Sequence, residues 1–274
     1  MQCILTALKA ESEPLIGYFN LTRSSSFDFP VFVNDALGLY LIGLGVGKSK
    51  VEYRIKEFTD KINDPIMQFI NIGVAGSVQS FSGIGEIFLI NKIIDECSSH
   101  CYYPDILIDH QMMESEITTV AEVVNDKQSC YHSLVDMEAS EIFKLCSPLV
   151  PIHNVAFVKI VSDHMEIDHI KLNGTLISSF IIDKLELIKI FLDQFKYLLR
   201  KGQPILSQMD TDWVFRSKER LLLTETQTRQ LKDRARFYRL KNGSRSLPDT
   251  QYNRPNSTIE RKRLFKDICE VLTK

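Results

Sequence analysis

The chain has 274 residues, 6 cysteines and a formal net charge of −2, with 44% hydrophobic and 25% charged residues. These values are ordinary for a globular protein of one large or two smaller domains, and they exclude a chain that depends on disulfide staples. No apolar run reaches the roughly 18 residues of a membrane span, and the first residues lack the layout of a signal peptide. A cytoplasmic protein with no membrane partner is therefore expected.

Charged residues are distributed unevenly along the chain. Residues 1–199 contain 15 Lys and Arg against 26 Asp and Glu, whereas residues 200–274 contain 18 against 9. This asymmetry indicates an added basic module. A glycine and a proline at Gly202 and Pro204 are typical of a helix end, so the predicted domains are 1–202 and 203–274.

Apolar runs alternate with amphipathic stretches over the first 200 residues, which predicts an α/β sheet covered by helices on both faces. Strands are predicted at residues 4–8, 31–33, 37–44, 67–72, 86–94 and 155–161, with weaker signals at 106–108 and 117–124. Helices are predicted at residues 14–19, 48–61, 137–146 and 176–199.

A glycine-rich segment precedes the second predicted helix. Residues 43–49 read GLGVGKS, which looks like a phosphate-binding loop. That loop needs a further glycine at the position of Ile42. A strand, a tight turn and a helix from Lys48 are predicted instead.

Three carboxylates stand where strands meet helices. Asp163 directly follows a buried strand, and ligands of open α/β sheets bind outside the carboxyl ends of the strands. Glu138 lies at a helix entrance, where an anionic acceptor suits ribose hydroxyls. Two carboxylates in different settings can divide an acid role from a binding role. Glu11 lies in a predicted strand-to-helix turn, where a solvated charge is the alternative interpretation.

Small residues follow the strand predicted at residues 67–72. Val74, Ala75 and Gly76 let backbone N–H groups approach a ligand closely, so they are predicted to bind substrate. The pair Cys97 and Cys101 superficially resembles a metal site but lacks a second ligand pair. No metal and no cofactor are predicted.

Six short blocks stand out in order along the chain: residues 7–11 (ALKAE), 43–48 (GLGVGK), 71–76 (NIGVAG), 85–86 (GE), 135–139 (VDMEA) and 161–163 (VSD). Together they resemble the purine nucleoside phosphorylase superfamily, and within it most closely the methylthioadenosine/S-adenosylhomocysteine nucleosidases. The resemblance covers about residues 1–200. It implies a three-layer phosphorylase/hydrolase-like fold with a central mixed sheet, here followed by a helical C-terminal extension.

The resemblance also implies roles for individual residues. Asp163 would be the general acid that protonates N7 of a leaving purine, and Ser162 would hold it in place. Glu138 would accept hydrogen bonds from the ribose hydroxyls, with Met137 packed beneath the sugar. Glu11 would orient or activate the attacking water. The implied substrate is a purine nucleoside or its 5′-thio derivative, and the implied assembly is a homodimer.

Several differences from the superfamily pattern bear on the reaction and the substrate, and the segment after Gly202 has no counterpart in the nucleosidases. Phosphorylases of this type place arginine at the position of Asn71, so water is the expected nucleophile and phosphate the alternative. The interval between Glu86 and Met137 is short and lacks the stretch that carries the aromatic residue stacked on the purine. Lys159 replaces an arginine. A nucleoside-sensing protein with little catalysis is a further alternative.

The C-terminal extension contains the single tryptophan, Trp213, and two predicted helices at residues 226–240 and 258–272. Its basic residues are compatible with binding of nucleic acid, although no known motif supports that interpretation. A helical lid or a dimer brace is the favoured alternative.

Overall fold

The computed structural model consists of two compact units, Met1–Lys201 and Gly202–Lys274. Every helix among the described residues is too short or too polar to span a bilayer. The structure describes residues 1–62, 66–124, 131–165, 173–201, 206–243, 246–248 and 252–273. The predicted helix end at residues 202–204 lies outside these ranges.

The described part of the first unit is a mixed α/β structure. Its strands are β1 Gln2–Thr6, β2 Thr22–Arg23, β3 Val31–Asn34, β4 Leu39–Gly43, β5 Gln68–Ser77, β6 Ile87–Asp95, β7 Cys101–Tyr102, β8 Met113–Thr119, β9 Leu134–Asp136 and β10 Val155–Asp163. Its helices are α1 Lys9–Tyr18, α2 Lys48–Lys61, α3 Ala139–Cys146, α4 Gly174–Ile182 and α5 Leu185–Lys201.

All ten strands belong to one sheet that is partly closed on itself. One side is open, with β5, β1, β4, β3 and β2 side by side. On the other side β5 pairs with both β10 and β9, β10 pairs with β6, β6 with β8, and β8 with β9, so that five strands form a ring. The parallel strands β1, β4, β5 and β10 bring their carboxyl ends to the same edge.

The sheet separates two apolar cores because successive side chains of a strand point to opposite faces. Leu5 and Phe157 point to a face covered by α2 and α3, whereas Ile4 and Val158 point to a face covered by α1, α4 and α5. Burial of both faces explains why residues 155–161 of β10 form a continuous apolar run in the sequence, interrupted only by Lys159.

Most predicted elements lie within a few residues of the observed ones, and α2 coincides with its prediction. The single helix predicted at residues 176–199 was wrong. The chain turns after Ile182, because α4 packs against α1 whereas α5 buries Phe191 and Phe195 against the sheet. The weak strand signal at residues 106–108 was also wrong. Ile106 and Ile108 pack against the core outside any strand.

Helix α1 begins earlier than predicted, at Lys9, and contains Pro14 in its interior. Proline lacks the N–H that would bond to the carbonyl of Ala10. The hydroxyl of Ser178 in α4 donates to that carbonyl at 2.8 Å. The contact between α1 and α4 thus supplies the hydrogen bond that Pro14 removes.

A network of uncharged amides lies at the amino ends of the strands, opposite the edge where the parallel strands end. Gln68 donates to Asn154 at 3.3 Å and to the Phe195 carbonyl at 2.7 Å, and accepts from Gln2 at 3.0 Å. Gln2 also donates to the Leu192 carbonyl at 3.0 Å. The network ties β1 and β5 to α5.

The described part of the second unit is helical. It contains α6 Gln208–Leu221, α7 Glu225–Asn242 and α8 Thr258–Thr273. Both α6 and α7 begin with capping boxes, at Ser207 and Thr224. A core that includes Leu231 and Ile268 joins the three helices. The helical extension predicted from the sequence is confirmed, although α6 was not predicted as a helix.

We expect Gln68→Leu to lower the free energy of unfolding by about 1–3 kcal/mol for each buried partner it leaves unsatisfied. The control is Gln111→Leu, because Gln111 is exposed. Urea denaturation measures both. Equal unfolding free energies for the two variants would contradict a structural role for the amide network.

Candidate active site

A cavity of about 410 Å³ lies at the carboxyl ends of the parallel strands. It contains all eight residues that the sequence predicted for the site: Glu11, Val74, Ala75, Gly76, Met137, Glu138, Ser162 and Asp163. The structure therefore places residues from four separate blocks of the sequence around one space.

The rest of the lining was not predicted, and much of it is apolar. These additional residues are Ala7, Leu8, Val46, Val120, Val123, Val124, Val135, Asp136, Met165 and Ile177. The valines gave no signal in the sequence because valine is also the ordinary residue of a buried strand. Among the described lining residues there is no aromatic side chain and no lysine or arginine.

Glu11 is fixed by three backbone N–H groups. One carboxylate oxygen accepts from Ala7 and Leu8 at 2.8 Å each, and the other accepts from Val74 at 2.9 Å. Glu11 is 2% exposed, which excludes the alternative interpretation of a solvated charge. Its pKa is raised, because burial outweighs the N–H donors and the positive charge of Lys159.

The backbone of β5 leaves room for this carboxylate. A Cβ atom on Gly73 would lie 2.8 Å from an oxygen of Glu11. A Cβ atom on Gly76 would lie 2.9 Å from Cγ of Met165 and 3.3 Å from an oxygen of Asp163. The absence of a side chain at Gly73 and Gly76 therefore lets Glu11 and Asp163 approach the backbone of β5 closely.

Asp163 is the last residue of β10, and both of its oxygens accept hydrogen bonds. Ser162 donates its hydroxyl to one oxygen at 2.6 Å, and the Met165 N–H donates to the other at 2.8 Å. The pairing of β10 with β5 shifts register just before Asp163, which lies opposite Gly76. This irregularity lets Ser162 and Asp163 both line the cavity.

A buried ion pair lies beside the cavity. Lys159 is 2% exposed, and its ammonium group lies 2.8 Å from the carboxylate of Asp136. Asp136 also accepts from the hydroxyl of Thr119 at 2.8 Å and from the N–H of Ala139 at 3.0 Å. Burial lowers the pKa of Lys159, but the carboxylates of Asp136 and Glu138 outweigh it, so the net shift is upward and Lys159 stays cationic.

Glu138 is the N-terminal cap residue of α3 and faces the cavity. Burial raises its pKa to about 7, and the negative charges of Asp136 and Glu11 act in the same direction, against Lys159. Three carboxylates thus surround one cation. A pKa of about 7 places the protonation change of Glu138 near neutral pH.

Asn71 and the cysteines complete the sequence predictions. The amide of Asn71 is buried and donates to the Leu5 carbonyl at 3.0 Å, so it holds two strands together. Cys97 and Cys101 are free and exposed. The described part of the chain contains no group of three or more His, Cys, Asp or Glu that could hold a metal ion.

No family model and no curated protein sequence matches this chain. Solved structures do match. A putative 5′-methylthioadenosine/S-adenosylhomocysteine nucleosidase from Francisella philomiragia is 13% identical, with a TM-score of 0.55, over 70% of this chain and 98% of that one. The Chlamydia trachomatis nucleosidase, bound to adenine, is 17% identical with a TM-score of 0.56 over the same shares.

A third match is the nucleosidase from S. pneumoniae with a transition-state inhibitor, at 16% identity and a TM-score of 0.55, over 72% of this chain and 100% of that one. The chain shares its fold with these nucleosidases. At this level of identity the match establishes the fold, and the chemistry has to be argued from the cavity itself.

We expect Lys159→Met to lower the free energy of unfolding by about 3–5 kcal/mol, because it leaves the Asp136 carboxylate buried without its cation. The double variant Lys159→Met/Asp136→Asn should recover most of that loss. The control is Lys9→Met, because Lys9 pairs with Glu13 at the surface. An exposed pair contributes less than about 1 kcal/mol. Urea denaturation of the single and double variants measures these free energies. Similar losses for Lys159→Met and Lys9→Met would contradict the structural role of the buried ion pair.

We expect Glu138→Gln to raise the melting temperature at pH 8 and to leave it nearly unchanged at pH 4, below the unfolded pKa. Above pH 7 the folded protein must bury the charge, at a cost of about 3 kcal/mol, whereas below the unfolded pKa the carboxyl is neutral in both states. This stability is therefore present at low pH and lost as the pH rises through 7. The exposed Glu52→Gln is the control in calorimetry. A pH-independent difference would contradict the raised pKa.

Proposed function

We propose that this protein hydrolyses the N-glycosidic bond of a purine nucleoside, of the methylthioadenosine or adenosylhomocysteine type, with water as the nucleophile. The observation that carries the proposal is the convergence of Asp163, Glu138 and Glu11 on one cavity whose described lining contains no cation. The shared fold supports the same class of reaction. The nucleosidases that match are themselves described as bound to adenine or to a transition-state inhibitor.

In the proposed reaction, the bond between C1′ of the sugar and N9 of the purine breaks, and its electron pair stays with the base. Asp163 gives a proton to N7, so the base leaves as a neutral molecule. Ser162 and the Met165 N–H hold one oxygen of Asp163 each, which fixes its direction. General acid catalysis of this kind contributes about a hundred- to ten-thousand-fold.

The positively charged sugar of the transition state is matched by the acidic side of the cavity. Glu138, when ionised, accepts hydrogen bonds from the ribose hydroxyls, while Met137 contacts the sugar. Glu11 has one unused acceptor position, because three of the roughly four on its carboxylate are occupied by backbone N–H groups. A water bound there attacks C1′ and passes its proton to Glu11.

A second candidate function is phosphorolysis, and a neighbouring cavity supports it. This cavity of about 570 Å³ shares Ala7 with the first and is lined by Lys9, Arg23 and Arg54. The guanidinium group of Arg54 donates to the Gly43 carbonyl at 2.6 Å, which holds it at the end of β4. Phosphate dependence of the reaction separates the two functions.

A nucleoside-binding protein with little catalysis is the third candidate. The described lining offers no aromatic ring to stack on a purine, and apolar residues such as Val123 and Val124 take that place. Val123 is 68% exposed. This exposed apolar rim is compatible with the homodimer proposed from the family resemblance, which sedimentation would test.

We expect Asp163→Asn to lower turnover by at least about a hundredfold while nucleoside affinity changes little, because proton donation acts in the transition state. The measurement is chromatographic release of free base from methylthioadenosine, adenosylhomocysteine, adenosine and inosine, with and without phosphate. The control is Asp35→Asn, at an exposed position.

Base release by the wild type without phosphate, lost in Asp163→Asn but not in Asp35→Asn, supports hydrolysis. A requirement for phosphate would support the phosphorylase. Turnover unaffected by Asp163→Asn would falsify the acid role. Thermal shifts with nucleosides but no base release would support the binding protein.

A further inference from the structure

The second unit is strongly basic, with 16 Lys and Arg against 9 Asp and Glu in residues 202–274. Several of these charges are neutralised within the unit. Arg239 forms a two-pronged pair with Asp210, at 2.6 and 2.8 Å. Arg236 contacts Asp233 at 3.0 Å. Such pairs are structural, and they are distinct from a smaller set of arginines, Arg216, Arg220 and Arg254.

That smaller set lies around a cavity of about 700 Å³ formed wholly by this unit. One wall is a face of α6, and the other is the segment that precedes α8. The lining consists of Trp213, Phe215, Arg216, Ser217, Glu219, Arg220, Leu221, Tyr252, Asn253 and Arg254. The volume falls within the range of about 300–1,000 Å³ that is typical of small-molecule sites.

Arginines line this cavity from both walls. Arg216 and Arg220 lie one turn apart on α6, and Arg254 lies on the opposite segment. Neither Arg216 nor Arg254 makes a hydrogen bond or ion pair with any other residue that the structure describes. Glu219 is the one acid among the described lining residues, so the cavity carries a net positive charge.

Three aromatic side chains share the same space. The ring of Trp213 is held in place, because its N–H donates to the Pro248 carbonyl at 3.0 Å. Tyr252 is half-buried, whereas Phe215 is 62% exposed. Phe215 therefore contributes little to the core of the unit and lies beside Arg216 at the cavity.

We propose that this cavity binds a nucleotide unit, with the phosphate on the arginines and the base on the aromatic side chains. Arginine presents a planar guanidinium group whose N–H donors match phosphate oxygens. Aromatic rings stack on the flat face of any base, whatever its identity. The amide of Asn253 supplies both a donor and an acceptor for a base edge. The unit is either a free nucleotide or one nucleotide of a single strand of nucleic acid.

An acidic peptide is the rival ligand, since it would also satisfy the arginines. The aromatic side chains favour the nucleotide, because a run of carboxylates has no flat ring to place on Phe215. Binding here is separate from the proposed hydrolysis, since none of the lining residues belongs to the first unit. The two proposals can therefore fail independently.

The single tryptophan of the chain reports directly on this cavity, because Trp213 lines it. We would titrate the full-length chain with AMP, adenosine, a 12-nucleotide oligoadenylate RNA and polyglutamate, and follow tryptophan fluorescence. A saturable change with AMP or RNA is expected, with weaker binding at higher salt. Adenosine should bind at least about tenfold more weakly, because it lacks the charged acceptor.

Matched variants locate the binding. Arg216→Gln and Phe215→Ala should each weaken it about tenfold. Arg263→Gln and Phe237→Ala alter exposed residues outside the cavity and should leave it within about twofold. Circular dichroism verifies that each variant is folded, and Arg254→Gln replaces Arg216→Gln if that variant is not.

The ratio of the affinities for RNA and AMP distinguishes a free nucleotide from one nucleotide of a strand. RNA that binds much more tightly than AMP indicates a strand, and equal affinities indicate a free nucleotide. The inference is overturned by the absence of a saturable change with both ligands, by preference for polyglutamate, or by equal binding in the cavity variants and their controls.

Discussion

Lys159 is a buried cation placed among the carboxylates at the carboxyl ends of the strands, and the geometry of the site depends on it. Its ion pair with Asp136 joins β10 to the start of α3. The same positive charge opposes the raised pKa values of Glu11 and Glu138. Without it, three acids would be buried together, and burial of uncompensated charge is among the most costly changes a fold can suffer.

The amino and carboxyl ends of the strands are held together by different kinds of polar interaction. At the amino ends, Gln2 and Gln68 form hydrogen bonds that need no counter-charge. At the carboxyl ends, acids are held by backbone N–H groups and by one lysine. The amino ends are therefore held together without ionisable groups, whereas the carboxyl ends contain Glu138, whose pKa is raised to about 7.

Much of the fold could be predicted from the sequence because its signals are local. The apolar runs gave most strands, and the glycine turn before Lys48 gave the start of α2. The order of strands was not accessible from periodicity, and the family resemblance implied only a central mixed sheet. The break between α4 and α5 could not be predicted, since it depends on packing against α1 and the sheet.

Part of the site could also be predicted, because some of its residues leave local signals in the sequence. Residues that end strands or begin helices, such as Asp163 and Glu138, leave a local signal. The ion pair joins Asp136 to Lys159, which is 23 residues away in the sequence. The local sequence around either residue therefore does not identify the other as its partner. A lysine inside an apolar strand was nevertheless a usable signal, because such a residue needs a buried counter-charge.

The closed ring of five strands has a consequence for how copies of this chain can meet. A strand in the ring has a hydrogen-bonded neighbour on each side, and the described strands with a single neighbour are β2 and β7. Each of these two is only two residues long. Short edges resist addition of a strand from another molecule. An assembly of the described part of this chain would therefore form through side chains rather than by extension of the sheet.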